Sequence, residues 1–99
     1  MVRFDTADAT LGADNERQLE ALARRLATSE DRVQLRGYAS ASNADAASGA
    51  RRLSLSRALA VRSYLIDKGI RSTRIDVRAL GPTADSGPAD RVDVAVLGR

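Results

Sequence analysis

Hydrophobic and polar positions divide this chain into six patterned blocks. Val2-Arg3-Phe4 alternates and predicts a short strand. Thr6 to Ala13 reads as loop, with Leu11 as a core plug. Asp14 or Asn15 predicts a helix cap, and the helix behind it runs to about Ala27. Leu19, Leu22, Ala23 and Leu26 form its apolar stripe, with Glu20 and Arg24 as a favourable pair on the other side. Thr28 to Asp31 break that period. Arg32 to Tyr38 alternates strictly and predicts a strand, with Val33 and Leu35 on one face and Gln34 and Arg36 on the other. Ala39 to Ala50, built of Ala, Ser, Asn, Asp and Gly, reads as a mobile surface loop. Ser54 predicts the N-cap of a second helix that ends near Lys68-Gly69, with Leu55, Ala58, Leu59, Val61 and Leu65 as its apolar surface. Ile70 then tucks back under the helix end. Arg74 to Ala79 and Arg91 to Leu97 are the last two alternating strands, the latter with Val92, Val94 and Val96 inward. Between them lie a Gly81-Pro82 turn and a small polar loop.

The order is β-α-β-α-β-β. It predicts an α+β two-layer sandwich, with two helices packed on one face of a four-stranded mixed sheet. Crossovers through helices favour parallel neighbours, and the short last connection permits an antiparallel one. A chain of 99 residues holds one domain, residues 1–99, with no internal repeat. Its abrupt opening in a strand-like segment is compatible with a domain cut from a longer protein.

Composition removes several chemistries. With no cysteine and no histidine, the sequence excludes disulfides, thiolate chemistry, zinc fingers and histidine-based triads. Asp5 and Asp8 lack calcium-loop spacing, and the glycines never cluster as a phosphate loop. No metal, cofactor or enzymatic activity is expected. Apolar residues make up 43%, too many for a disordered chain. No apolar run approaches the roughly 20 residues that span a bilayer, so this segment is not expected to contact a membrane itself. The net charge is +3, and Lys68 is the only basic residue that is not arginine. Arginine makes bidentate contacts with carboxylates and phosphates, which directs the search to anionic partners. A coding preference for arginine and alanine explains the same bias. Nucleic-acid binding is a weaker alternative, because the strands lack aromatic platforms and acids are interspersed throughout.

Arg57 is the principal candidate. It lies one turn into the helix as placed from Ser54, just beyond the loop, where a guanidinium and the helix N-terminus together suit a carboxylate. The alternative is a structural arginine paired with an acid such as Asp45 or Asp93. Arg51 and Arg52 add positive potential at the same end. Tyr38, at the strand end, either lines a ligand site or fills the sheet edge. Tyr64 reads as packing. Asp85, Asp90 and Asp93 do not form an acid/base pair.

These residues bear a resemblance. Leu53-Ser54-x2-Arg57-Ala58-x2-Val61-x2-Tyr64-Leu65-x3-Gly69-Ile70 is similar to the long helix motif of OmpA-like domains, the peptidoglycan-associated modules of outer-membrane proteins, lipoproteins and flagellar stator proteins. Phe4 with Leu11, Val33-x-Leu35-x-Gly37, Arg74-Ile75, Gly81 and Arg91-Val92-Asp93 resemble other landmarks of that family. The resemblance spans essentially the whole chain and implies the same β-α-β-α-β-β fold. It also implies a non-catalytic module in the periplasm, part of an outer-membrane or membrane-anchored envelope protein. Such a module binds the peptidoglycan stem peptide, with a diaminopimelate carboxylate held by Arg57.

The chain departs from the family at the ligand motif. The family's GHTD-type stretch reads Gly37-Tyr38-Ala39-Ser40, so a neutral hydroxyl replaces its aspartate. The asparagine before the helix motif reads Ala50, and the closing NRRVE-type motif reads Ala89-Asp90-Arg91-Val92-Asp93. Asp45, on a longer loop, is the one acid read as able to replace the lost charge. The expected ligand-binding set is therefore Arg57, Ser40, Tyr38, Asp45 and Ser54. The alternative is a degenerate OmpA-like domain that has lost peptidoglycan binding and serves as a protein-interaction or structural module. A monomer is expected in either case.

Overall fold

The computed structural model describes residues 1–5, 8–41, 46–83 and 88–98. The chain runs β1 (Val2–Arg3), α1 (Ala13–Ala27), β2 (Arg32–Gly37), α2 (Ala47–Asp67), a 3-10 turn (Ser72–Arg74), β3 (Ile75–Ala79) and β4 (Arg91–Gly98). The sheet order is β1-β4-β2-β3. β2 and β3 are parallel, as their helical crossover requires, and β4 runs antiparallel to both β1 and β2. Both helices lie on one face, giving the α+β two-layer architecture expected from the pattern.

The alternating positions lock the register. Val33, Leu35 and Gly37 stand opposite Val96, Val94 and Val92 of β4, and opposite Ile75, Val77 and Ala79 of β3. Leu19, Ala23 and Leu26 of α1 and Ala58, Val61 and Leu65 of α2 close over them as one buried cluster. Phe4 and Ile70 complete it, and Leu11 packs against its edge. Val96 shares the inward parity but lies at the margin of α1, so it stays 47% exposed.

The helix boundaries differ from expectation. α1 begins at Ala13 with Gly12 at its cap and no side-chain cap bond. Asn15 instead donates to the Arg3 carbonyl, and Asp14 pairs with Arg17. The larger difference is in α2, which begins at Ala47, seven residues before Ser54. Ala47, Ala50, Arg51 and Arg52 are strong helix formers, and their low complexity hides that propensity from a search for an apolar stripe. Ala50 is buried, so this first part of the helix packs rather than moves as a loop. The buried side of α2 is Ala50, Ser54, Arg57, Ala58, Val61 and Leu65, while Leu55 and Leu59 are about two-fifths exposed. The C-terminal end behaves as read. Gly69 takes φ +97°, its N–H reaches the Ile66 carbonyl and that of Ile70 reaches Leu65.

Ser54 is therefore a buried mid-helix residue. Its hydroxyl donates to the Arg51 carbonyl at 2.7 Å and accepts the Gly81 N–H at 3.1 Å. Gly81 sits at φ +58°, and its carbonyl accepts the Ala39 N–H. Gly37 lets α2 come against β2: a Cβ there would lie 2.2 Å from the Ser54 carbonyl oxygen. That oxygen belongs to the helix backbone and cannot step aside alone. Gly37→Ala should therefore lower stability by about 1–3 kcal/mol or more in urea unfolding, by prying helix from strand.

Candidate functional site

Because α2 starts early, Arg57 lies ten positions past Ala47, about three turns into the helix rather than one. The exposed N–H groups of the helix N-terminus do not reach it. Its side chain runs into the interior and is 0% exposed. Nε donates to the Asp8 carbonyl at 2.7 Å, and Nη2 donates to the Asp5 carbonyl at 2.8 Å. Nη1 donates both to the Tyr38 carbonyl at 3.0 Å and to the Asp90 carboxylate at 2.7 Å. The Phe4 ring lies against the guanidinium, 5.3 Å from centroid to carbon. A buried cation needs a counter-charge and filled donors, and Arg57 has both inside the domain.

Among the described residues the acid that answers it is Asp90, while Asp93 pairs with Arg91. The Asp90 carboxylate is about one-fifth exposed. Besides Arg57 it accepts the Ser40 backbone N–H at 3.1 Å and the Ser40 hydroxyl at 3.0 Å. Burial pushes its pKa up, but the hydrogen bonds from Arg57 and Ser40 outweigh this and hold it below the ordinary aspartate value of 3.8.

The expected ligand-binding residues separate accordingly. Ser40 is exposed and joins the Arg57–Asp90 pair. Tyr38 is buried and enters through its backbone carbonyl. Its ring lies beneath Arg91, 4.4 Å from the guanidinium carbon. Ser54 is one turn away on α2 and serves the Gly81 turn, not the guanidinium. Asp45 lies outside the described residues, as does Asp85.

Asp90 and the carbonyls of Asp5 and Asp8 were not expected. Backbone acceptors leave no mark in a sequence. Asp90 left one. It stands where the family's closing motif has an arginine, and Ser40 stands where the family has an aspartate. A second arginine, Arg91, is also buried, with Asp93 at 2.9 Å and the Pro88 carbonyl as acceptors. Among the described residues, no group of acidic side chains is arranged to hold a metal ion. No described helix is long and apolar enough to cross a membrane.

The model of the OmpA family matches residues 3–92. The chain belongs to the OmpA family. Solved structures agree on the fold. The OmpA-like domain of FopA1 from Francisella tularensis is 24% identical, covers 96% of this chain and 70% of its own, and superposes with a TM-score of 0.85. The C-terminal domain of Helicobacter pylori MotB is 19% identical over 99% of this chain and 84% of its own, with a TM-score of 0.79. The peptidoglycan-associated lipoprotein of Burkholderia pseudomallei is 19% identical over 96% and 86%, also at 0.79. No curated protein matches the chain. OmpA-like domains are non-catalytic binding modules, in keeping with a site built of an ion pair and carbonyls.

Two measurements test this geometry. Arg57→Ala should cost about 3–5 kcal/mol in chemical unfolding, because it leaves the part-buried Asp90 without its counter-charge and removes a donor from three carbonyls at once. Asp90 has a depressed pKa in the fold, so its contribution is present above pH 3.8 and is lost as pH falls through its folded value. Stability followed from pH 6 to about pH 2 should fall at the acid end. Asp90→Asn should start lower and show a shallower fall over that range.

Proposed function

We propose that this domain is a non-catalytic binding module of the bacterial cell envelope that joins envelope proteins to one another. It would work in the periplasm as part of an outer-membrane or membrane-anchored protein. In this reading Arg57 is a structural residue, and the domain does not grip a diaminopimelate carboxylate with it. One observation carries the reading. Arg57 is wholly buried, and every nitrogen of its guanidinium already donates to Asp90 or to a backbone carbonyl. An incoming carboxylate would have to displace a charge-assisted bond of 2.7 Å before gaining its own.

One feature favours a second reading, binding of a peptidoglycan stem peptide at this place. Asp90 is partly open to solvent, with the Ser40 hydroxyl beside it. The zwitterionic end of diaminopimelate could enter the pair, its carboxylate facing Arg57 and its ammonium facing Asp90. One ion pair would become two. The printed name of the Burkholderia relative, a peptidoglycan-associated lipoprotein, supports this reading by likeness.

Co-sedimentation with diaminopimelate-type sacculi, paired with an NMR titration by the free stem peptide, separates the two. The structural reading expects a folded domain that stays in the supernatant and shows no shifts at millimolar peptide. Retention together with shifts at Ser40, Arg57 and Asp90 would overturn it in favour of wall binding.

A further inference from the structure

The face of the sheet turned away from the helices carries an unbalanced charge pattern. Strand alternation places Arg3, Arg32, Arg36, Arg78 and Arg91 on it, against Asp76 and Asp93. Register sets Arg36 directly opposite Arg78 on β3, and Arg3 directly opposite Arg91 on β4. Like charges in such positions destabilise a sheet. Asp93 also faces Arg36 across the ladder, yet it bonds Arg91 instead. Asp76 is held by Gln34 at 3.1 Å and by Arg78. Arg36 is thus left with a buried Nε that has no acceptor among the described residues. A buried donor without a partner is costly, and two like-charge pairs add to that cost. Asp76 pairs with Arg78 and Asp93 with Arg91, which leaves Arg36 and Arg3 as the members of these pairs with no carboxylate partner among the described residues.

The geometry points to this open sheet face as a docking surface for an acidic segment of a partner protein, whose carboxylates enter between Arg36 and Arg78 and beside Arg3. This deepens the protein-interaction reading above by naming the partner's chemistry, and it rests on that reading. A protein fits better than a polyphosphate chain. The two aspartates interrupt the arginines, so a continuous line of phosphates would run across like charge, whereas separate carboxylate side chains can avoid them. The described aromatic rings offer no exposed platform for bases, since Phe4 and Tyr38 are buried and Tyr64 packs on the helical side. Ala95, which pairs with Gln34, shares the face and gives the arginines a small apolar neighbour.

The test uses the intact chain and a fluorescein-labelled peptide of alternating glutamate and valine. Anisotropy should show saturable binding that weakens with added salt. Amide shifts should gather at Arg36, Arg78 and Ala95, away from Ser40 and Arg57. The double variant Arg36→Gln with Arg78→Gln should bind at least about fivefold more weakly while melting at or above the parent temperature, since a like-charge pair is gone. Arg25→Gln with Arg71→Gln removes the same charge from exposed positions off this face and should change binding less than twofold. Absence of peptide binding, or equal loss in both double variants, overturns the proposal. So does equal or tighter binding of single-stranded DNA or phosphatidylglycerol vesicles, which would assign the face to another class of partner. Sacculus retention would overturn the protein-joining reading while leaving this peptide result to stand or fall by itself.

Discussion

A single buried guanidinium holds the mouth of this domain together. Arg57 reaches from the middle of α2 to the chain following β1, the end of β2 and the residue before β4. Those segments are far apart in sequence, and three of the four contacts are to backbone carbonyls. A charge taken out of water is tolerated only when paired and hydrogen-bonded, and here the fold itself supplies a counter-charge and an acceptor for each nitrogen. The same argument explains why Asp90 stays ionised at neutral pH despite its partial burial. Arg57 and Asp90 are each the condition for the other.

The helix that carries Arg57 is seated by small residues. Gly37 lets the Ser54 carbonyl come within a Cβ's reach of β2, and the Ser54 hydroxyl holds the Gly81 turn. The turn in turn accepts the Ala39 N–H beside Tyr38 and Ser40. Close packing at Gly37 thus sets how deep Arg57 enters. In the proposed reading, the motif whose resemblance implies a ligand clamp serves in this chain as an internal clasp. The acid that closes on the arginine stands in the segment ahead of β4.

The two faces of the sheet follow opposite rules. On the helix side, charge is admitted only where it is answered. On the open side, arginines stand opposite arginines, only one of each pair meets an aspartate, and one nitrogen has no acceptor among the described residues. Stability alone does not select that arrangement, since a neutral residue at either position would relieve it. Five of the fifteen arginines stand on this face, and the proposed docking role would give them a chemistry that composition by itself leaves equally open to a coding preference.

The strands and α1 were legible because their period is local: alternation in Arg32 to Tyr38 and Arg91 to Leu97 dictates faces without knowledge of neighbours. The long helix motif carried the family, and Gly69 with Ile70 carried the helix stop. The start of α2 was not legible, because Ala46 to Ala50 have helix propensity but no apolar stripe to announce it. Nor was the interior side of that helix, where Ser54 and Arg57 occupy positions that a hydrophobic pattern assigns to the surface. Sequence alone determined which residues alternate, where glycine must turn the chain and that an arginine stands at position 57. Only the tertiary structure decided that this arginine faces inward, because its partners are one aspartate and three carbonyls brought together by folding, and a backbone oxygen has no letter in a sequence.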